Sequence, residues 1–396
     1  MNKRIKVFII SHLAVEKLYQ KYFEELSKFK DIELVLFMPE YWPAKAGGVK
    51  LNQLLSNNFD KIYAEKKYDL NYKTIIAKMI FPGKTYHFYP LLYKHLFKEK
   101  PDIIHVIEEP WSFVLSQVLI WKKLFSKNTK VIFTTYENLY RPYSNRLFYR
   151  LINYNLIEDY NLRNYDVAIV VYSEIREILR KKGFKKTIEI IGLGVDNKLY
   201  RKVNAEKLRE KLGLKEFVIG FSGRFEYSKG ILILLKAASK LKRKYELLLI
   251  GWGNPDFINK MKDYAKKLNV YNKLVIIDKR LGEKVVDYMN CMDLLVVPSI
   301  STKFWKEQFG RVITEAMCCE VPVIGSSSGS IPKVIGDAGL IFKEKNDKEL
   351  KEKIELVMKD IKLRKKLIKK GKERVLNNYT WDKVALKTHS LYKKLV

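Results

Sequence analysis

The sequence predicts an α/β protein built from two Rossmann-like domains. Its 396 residues are too many for one ordinary hydrophobic core and suit two domains of average size. The hydrophobic content of 47% is ample for burial. Short apolar segments alternate with amphipathic segments in two successive sets, which is typical of doubly wound parallel sheets. Two such domains facing each other would leave a cleft at the carboxyl ends of their strands, where ligands of open α/β sheets bind.

The first alternating set predicts an N-terminal domain, residues 1–195. It contains the predicted strands Ile5–Ile10, Glu33–Phe37, Ile103–Ile107, Lys130–Thr135 and Val167–Val171, and the predicted helices Ala14–Phe29, Phe113–Phe125 and Leu147–Leu162. Between residues 39 and 81 the Pro and Gly residues indicate a long excursion, in which we expect a strand pair near Lys61–Lys66 and Thr74–Ile80.

A loop near Ile190, with the sequence I-I-G-L-G-V-D-N-K-L-Y, predicts the hinge into a second domain, residues 196–378. That domain contains the predicted strands Phe217–Ser222, Glu246–Ile250, Lys273–Ile277, Leu294–Val297 and Val321–Gly325, and the predicted helices Lys229–Leu241, Pro255–Leu268, Gly282–Asn290 and Gly310–Cys319. A final helix, Trp381–Leu395, lies in the segment 379–396, and Thr380 is predicted to be its N-cap.

Composition narrows the class of protein. The net charge of +32 fits nucleic acid, an anionic membrane surface or a lysine-rich composition, and because no nucleic-acid module is evident we expect no specific nucleic-acid partner. The three cysteines, Cys291, Cys318 and Cys319, lack partners at metal or disulfide spacing and are expected to be buried thiols. The apolar run Val7–Ile10 fits a first strand better than a signal peptide. We expect a cytoplasmic protein, either free or peripheral at the inner face of the membrane.

Aromatic and basic residues interleave in two stretches of the N-terminal domain. They are Tyr86, Phe88, Tyr89, Leu92, Tyr93, Lys94, Phe97 and Lys98, then Trp121, Lys122, Lys123 and Phe125. Such faces suit either an interfacial helix on an anionic bilayer or the core packing of amphipathic helices. An anionic membrane surface is therefore a candidate partner.

The most informative stretch is Pro298–Gly325, which reads P-S-I-S-T-K-F-W-K-E-Q-F-G-R-V-I-T-E-A-M-C-C-E-V-P-V-I-G. Glu307 and Glu315 are eight residues apart, and the segment between them suggests a loop that turns into a helix. A helix N-terminus attracts phosphate, and a carboxylate accepts hydrogen bonds from neighbouring hydroxyls. The pattern suits a sugar attached to a diphosphate.

A second motif, G-F-S-G-R-F-E-Y-S-K-G, spans Gly220–Gly230. Arg224 can bind a phosphate through two parallel N–H groups, and Lys229 adds a positive charge. Gly223 would allow the backbone to approach the ligand. The alternative is that the two basic side chains only cap a helix. The G-x-G at 251–253 is interpreted mainly as a turn near the ligand.

These motifs resemble the donor-binding signature of retaining glycosyltransferases of family 4, which have the GT-B fold of two Rossmann-like domains facing across a cleft. The resemblance is strong in the second domain and weak in the first. It implies transfer of a glycosyl group from a nucleotide-sugar donor to a carbohydrate or glycolipid acceptor, with retention at the anomeric carbon. The nucleotide sugar is a co-substrate, so no cofactor or metal is expected. It also implies that the helix in 379–396 packs back on the first domain.

The resemblance assigns roles in the second domain. Arg224, Lys229 and the backbone at Gly223 would meet the diphosphate, while Glu307 would contact sugar hydroxyls and Glu315 the ribose. Backbone of the segment Gly310, Arg311 and Val312 would approach the diphosphate or the sugar, and Arg280 lies in the loop that receives the base.

The first domain is expected to bind the acceptor. Where many relatives have a glycine-rich loop after the first strand, this chain has Ser11-His12-Leu13-Ala14, so His12 is a candidate phosphate or acceptor contact. Glu109, Glu137 and Asn138 follow predicted strands. Glu109 and Glu137 join Glu307 as candidate catalytic residues, acting as general acid or sugar contact, and Asn138, like His12, is a candidate phosphate or acceptor contact.

Two other functions fit part of the pattern. One is a different enzyme on the same scaffold, such as a nucleotide-sugar epimerase or a phosphorylase. The other is a non-catalytic, basic protein that binds polyanions. No D-x-D motif occurs, whereas metal-dependent transferases of the other major fold need that pair to hold Mg²⁺ or Mn²⁺. We therefore expect a metal-independent hexosyltransferase.

Overall fold

The computed structural model describes residues 4–43, 60–64, 71–84, 86–140 and 154–396. The chain divides into a first unit, Met1–Gly192 with Trp381–Val396, and a second unit, Leu193–Thr380. Each unit is built on its own parallel sheet. No helix within these described ranges has both the length and the apolar character that crossing a bilayer requires.

The strands of the first unit are β1 Ile5–Ser11, β2 Ile32–Pro39, β3 Tyr41–Pro43, β4 Lys61–Tyr63, β5 Lys73–Ala77, β6 Ile103–Ile107, β7 Lys130–Thr135, β8 Val167–Val170 and β9 Thr187–Ile190. Those of the second unit are β10 Phe217–Phe225, β11 Tyr245–Gly253, β12 Leu274–Asp278, β13 Leu294–Val297, β14 Val323–Ser326 and β15 Leu340–Phe342.

The helices are α1 Lys17–Leu26, α2 Leu92–Glu99, α3 Phe113–Phe125, α4 Tyr154–Asn164, α5 Ser173–Lys181, α6 Glu206–Lys211, α7 Ile231–Ala238, α8 Pro255–Lys267, α9 Val285–Met289, α10 Arg311–Cys318, α11 Ile331–Ile335, α12 Asp347–Lys359, α13 Ile361–Asn378 and α14 Trp381–Leu395. Short 3₁₀ turns precede α1, α7 and α9.

The first sheet has the strand order β5-β2-β1-β6-β7-β8-β9, with every pair parallel. Its central strands are continuous apolar runs because helices cover both faces. In register, Ser11 pairs with Ile107, and Ile107 pairs with Thr134. The loops after β1, β6 and β7 therefore begin at one edge of the sheet, where the strand order reverses direction and ligands of such sheets usually bind.

The second sheet has the order β12-β11-β10-β13-β14-β15, again with parallel pairs throughout. The order reverses between β10 and β13, so the loops that follow these two strands lie side by side. One core packs β10, β11 and β13 against α7, α8 and α12.

The C-terminal helix α14 packs within the first unit. The phenolic oxygen of Tyr392 lies 2.6 Å from Nδ1 of His105, and Tyr22 donates a hydrogen bond to Thr388. His105 is buried in β6, and burial lowers the pKa of its imidazole to about 3, so it stays neutral.

Three sequence-based expectations are wrong. The two strands expected to pair within the excursion do not pair with each other: β4 pairs with β3, and β5 extends the main sheet beside β2. Residues 251–253 are not a turn but the end of β11, paired with β10 as far as Phe225. Thr380 does not cap α14, because its buried hydroxyl has no hydrogen-bond partner and its backbone pairs with Val195.

Other expectations can be compared directly with the structure. All three cysteines are buried and free, as predicted. The predicted helix Leu147–Leu162 is observed as α4 from Tyr154, and its residues 147–153 lie outside the described part of the chain.

Candidate functional site

The turn at Ser228–Gly230 packs directly on the loop that follows β13. Gly230 has a φ of +70°, and a Cβ at this position would lie 1.8 Å from the carbonyl oxygen of Pro298. The N–H of Ile300 donates a 2.7 Å hydrogen bond to the carbonyl of Ser228. Only glycine fits this close approach, which fixes Lys229 beside the β13 loop.

Lys229 forms an ion pair with Glu307. Its Nζ lies 2.8 Å from Oε2 of Glu307, and the hydroxyl of Ser299 donates to the same oxygen at 3.0 Å. The Lys229 ammonium also sits 4.4 Å from the centre of the Trp305 ring. The side chains of Lys229 and Glu307 are only 18% and 11% exposed, so their attraction is screened less than that of a surface pair.

The backbone of Glu307 is held from the other side by the loop after β14. The N–H of Ser330 donates to the carbonyl of Glu307 at 3.1 Å. Gly329, with a φ of +52°, brings its Cα so close that a Cβ would lie 2.2 Å from that carbonyl oxygen. The carboxylate of Glu307 is therefore positioned by packing and hydrogen bonds from two loops, as a binding group should be.

Helix α10 begins next to Glu307. Its N-cap Gly310 has φ 73° and ψ 56°, and no side chain caps the helix. A Cβ on Gly310 would lie 3.5 Å from Cγ of Glu307 and 2.9 Å from Cδ1 of Ile313. The positive end of the helix dipole thus lies beside the Lys229–Glu307 pair, a combination that favours an anion.

Glu315, one turn into α10, is buried and engaged within the second unit. Its Oε1 lies 3.5 Å from the guanidinium of Arg311. Burial and the Glu315 carboxylate raise the pKa of the Tyr200 hydroxyl. The ribose contact assigned to Glu315 stays a prediction.

The remaining donor candidates lie at the ends of β10 and β12. Arg224 is exposed at the end of β10 and pairs with Glu226 at 3.4 Å. Arg280 lies in the loop after β12, with its guanidinium 4.8 Å from the centre of the Trp252 ring. Gly223 lies in β10. A Cβ built on Gly251 of the neighbouring strand would lie 1.8 Å from the carbonyl oxygen of Gly223. The structure thus brings Lys229, Glu307 and α10 together, and gives both arginines other partners.

In the first unit, Glu108 follows β6 and contacts two histidines, His12 after β1 and His87 in the segment before α2. Its Oε1 lies 2.6 Å from Nδ1 of His12 and 3.3 Å from Nε2 of His87. The imidazole of His12 stacks on Trp42, with 4.1 Å between ring centres. Burial alone would raise the pKa of Glu108. The two histidines stabilise its charge more strongly and lower the pKa to about 2. The side chain of His12 is partly buried, and its imidazole already contacts the carboxylate of Glu108.

The two carboxylates predicted to be catalytic in the first unit differ in surroundings. Glu109 accepts hydrogen bonds from the hydroxyl of Thr135 and the N–H of Tyr136, and burial still raises its pKa. Glu137 is buried, with Lys182 2.5 Å from its Oε2, and desolvation raises its pKa to about 8. Their catalytic role stays a prediction.

Lys182 also pairs with Glu158 at 2.7 Å, so one buried ammonium faces two carboxylates. Asn138 follows Glu137 and is buried. Within the residues that the structure places, no three His, Cys, Asp or Glu side chains are grouped so that they could hold a metal ion.

Sequence reasoning missed several partners in these clusters. Ser299 lies two residues after the end of β13, so the rule that ligands gather at strand carboxyl ends could have found it. Trp305 and Trp42 carried no distinguishing pattern. Lys182 follows a helix end and has the appearance of a solvated charge, so nothing in the sequence signals its buried partners.

Two family models match the chain and together span most of it. Residues 204–374 match glycosyl transferases group 1, and residues 54–199 match glycosyltransferase family 4. An uncharacterized glycosyltransferase of Methanocaldococcus jannaschii is 29% identical over 47% of each chain. The N-acetyl-alpha-D-glucosaminyl L-malate synthase of Bacillus anthracis is 26% identical over 57% of this chain and 58% of its own length. The matches thus span about half the length of these curated relatives.

Solved structures share the whole fold. Sucrose-phosphate synthase from Thermosynechococcus elongatus aligns with a TM-score of 0.72 at 20% identity, over 99% of each chain. Anabaena HepE in complex with UDP aligns with a TM-score of 0.74 at 16% identity, over 98% of this chain and all of that one. The two Rossmann-like units therefore form a GT-B fold. The chain belongs to the group 1, family 4 glycosyltransferases.

Proposed function

We propose that this protein transfers a glycosyl group from a nucleotide-sugar donor to an acceptor hydroxyl, with retention at the anomeric carbon and without a metal. The observation that carries the proposal is the Lys229–Glu307 pair beside the N-terminus of α10. A cation and a helix end suit the diphosphate, and a carboxylate suits the hydroxyls of the attached sugar. Family membership supports this assignment of the three groups.

In the proposed reaction, the bond between the anomeric carbon and the diphosphate oxygen breaks, and a bond to the acceptor oxygen forms on the same face. The acceptor proton leaves with the released diphosphate. Lys229 and the positive end of α10 stabilise the charge that develops on the leaving group, which is why a metal is not needed. Glu307 orients the sugar through its hydroxyls.

Donor binding would exchange partners within the site. The diphosphate attracts the Lys229 ammonium away from Glu307, and the sugar hydroxyls then replace the ammonium as hydrogen-bond donors to the carboxylate. Arg224 and Arg280 are proposed as further contacts to the phosphate and base regions. Glu109 and Glu137 remain candidates for general acid or sugar contact in the first unit.

The acceptor is proposed to be a carbohydrate or glycolipid hydroxyl. A lipid-linked acceptor is part of the proposal because the first unit exposes lysine and large apolar side chains together on α2 and α3. His12 and Asn138 are the proposed acceptor contacts. The proposed location is the cytoplasm, with peripheral attachment at the membrane.

The test is a thermal-shift panel of UDP, GDP, ADP and CDP with their sugars. UDP comes first because Anabaena HepE, which shares the fold, was solved with UDP. A donor at about 100 times its Kd should add about 2.7 kcal/mol of stability. Lys229→Ala should lose the shift with nucleotide and with donor, while Glu307→Ala should lose only the extra shift that the sugar adds. Lys236→Ala removes the lysine of another ion pair, with Asp347, and should change neither.

Product analysis completes the test. NMR of the product made from the selected donor should show the anomeric configuration of that donor. No shift with any donor would overturn the proposal. Release of free sugar, or a requirement for inorganic phosphate, would instead indicate an epimerase or a phosphorylase, and polyanion binding unchanged in Lys229→Ala would indicate a binding protein.

A further inference from the structure

The helices α2 and α3 share an exposed apolar surface in the first unit. We call it the α2–α3 surface. Its five large apolar side chains are each between 42% and 64% exposed; they are Leu91, Phe97, Ile120, Leu124 and Phe125. Exposed lysines accompany them on the same two segments; they are Lys94, Lys98, Lys100, Lys123 and Lys127. Scattered exposed apolar residues are normal, but five on two adjoining helices form a patch.

Direct contacts join the two helices at this surface. The rings of Phe97 on α2 and Phe125 on α3 meet edge to face, with 4.9 Å between their centres. Phe97 also contacts Trp121 at 5.9 Å, and the hydroxyl of Tyr93 donates to the carbonyl of Gln117 at 3.0 Å. The two helices are therefore held side by side. The inner members of the aromatic series, such as Trp121, are buried, and the outer members point away from the core.

The charge on this surface has one sign. Residues 91–100 and 113–130 contain a single acidic residue, Glu99. Glu99 is buried and held by the ammonium of Lys73, so it does not offset the exposed lysines. The chain as a whole carries +32, and none of the exposed residues within 91–100 and 113–130 is acidic.

We propose that the α2–α3 surface docks on an anionic lipid bilayer. The apolar tips enter the boundary between headgroups and acyl chains, and the lysines extend to the lipid phosphates. Each lysine near an anionic surface strengthens binding by about fivefold. Docking would present the first unit to a lipid-linked acceptor; that part rests on the proposed function, whereas bilayer binding itself does not.

A nucleic acid fits this surface less well. The two segments contain no arginine, the side chain that binds phosphate in two-point contact and stacks on bases. Aliphatic side chains such as Ile120 and Leu124 make no favourable contact with a phosphate backbone, but they pack well against acyl chains. The mixture of aliphatic, aromatic and lysine side chains thus favours a bilayer.

The test compares vesicle co-sedimentation of the full chain with two lipid compositions. One is pure phosphatidylcholine, and in the other about a third of the lipid is phosphatidylglycerol. Wild type should bind the anionic vesicles at least tenfold more tightly. Leu124→Ser/Phe125→Ser should abolish binding, and Lys98→Ala/Lys123→Ala should weaken it about 25-fold.

Matched controls separate the surface from total charge and hydrophobicity. Lys365→Ala/Lys366→Ala removes the same charge from exposed positions of α13, and Leu386→Ser removes an exposed apolar side chain from α14. Both controls should bind as wild type does. Equal loss in the lysine control, equal binding to neutral vesicles, or no vesicle binding would overturn the proposal.

Donor binding distinguishes this proposal from the proposed function. The α2–α3 surface variants should keep the thermal shift with donor, because the donor residues are in the second unit. Lys229→Ala should lose that shift but keep vesicle binding. Tight binding to single-stranded DNA that the Leu124→Ser/Phe125→Ser variant retains, without vesicle binding, would assign the charge to nucleic acid instead.

Discussion

Replacing Gly230 by Ala tests the packing of the turn that carries Lys229. Gly230 has a φ of +70°, and the new Cβ would lie 1.8 Å from the Pro298 oxygen, which is 1.2 Å short of the 3.0 Å that real Cβ atoms keep. A left-handed alanine costs roughly 1–2 kcal/mol. Forcing one more carbon against packed backbone costs roughly 1–3 kcal/mol, and loss of the Ile300–Ser228 hydrogen bond adds about 1 kcal/mol. We expect a stability loss of about 4 kcal/mol.

Gly213→Ala is the matched control. Gly213 also lies in the second unit and has a φ of +71°, but nothing lies within 4 Å of a Cβ built there. Only the backbone strain remains, and a smaller conformational entropy of the unfolded chain partly offsets it. We expect a loss of about 1 kcal/mol. The difference between the two variants isolates the close approach to Pro298.

Calorimetry and hydrogen exchange should be combined, because a chain with two units need not unfold in one step. In Gly230→Ala, peptides that cover residues 226–238 and 296–307 should lose most protection, and the stabilisation by donor should shrink because Lys229 is displaced. In Gly213→Ala, protection in those peptides should match wild type. Equal losses of stability in the two variants would refute the packing argument.

Two further predictions concern the first unit. Because the pKa of Glu137 rises from 4.5 unfolded to about 8 folded, the folded state keeps a proton that the unfolded state releases, so this group lowers stability as pH rises from 4.5 to 8. Glu137→Gln should therefore raise stability at pH 8 by about 2 kcal/mol and change little at pH 4, as urea unfolding can measure; a loss at pH 8 would contradict this sign. Tyr392→Phe should cost about 1–2 kcal/mol by leaving Nδ1 of buried His105 unpaired. Tyr392→Ala should cost about 4 kcal/mol by opening a cavity under α14, and an effect of the two variants confined to the second unit's calorimetric transition would contradict the packing of α14 on the first.

The central strands could be predicted closely from the sequence, whereas two of the four edge strands of the main sheets, β9 and β15, were missed. Ile103–Ile107 and Lys130–Thr135 are observed with the predicted ends, because strands buried on both faces are uninterrupted apolar runs. The edge strand Thr187–Ile190 was not predicted. It is only partly buried and reads T-I-E-I, so its short pattern does not stand out.

The sequence also did not indicate which strands and side chains that are distant in the chain contact one another. The predicted partner of the strand near Thr74 was its sequence neighbour, but the strand joins β2, some 38 residues earlier in the parallel register Leu36–Thr74. Residue propensities indicate that a segment forms a strand. They do not indicate which strand of the sheet it pairs with. The buried Lys182 shows the same limit, since its partners lie 24 and 45 residues away.

The sequence indicated Lys229 and Glu307 separately as ligand contacts, and only the structure shows that each is the other's partner. A part-buried carboxylate without a cation is costly, so the pair stabilises the site when no donor is bound. A nucleoside diphosphate alone would attract Lys229 away from Glu307. No sugar hydroxyl would then replace the ammonium as a hydrogen-bond donor to the Glu307 carboxylate. In the proposed function, a complete nucleotide sugar would replace both partners at once. The pair would then make the site prefer an intact donor over the nucleotide that remains after transfer.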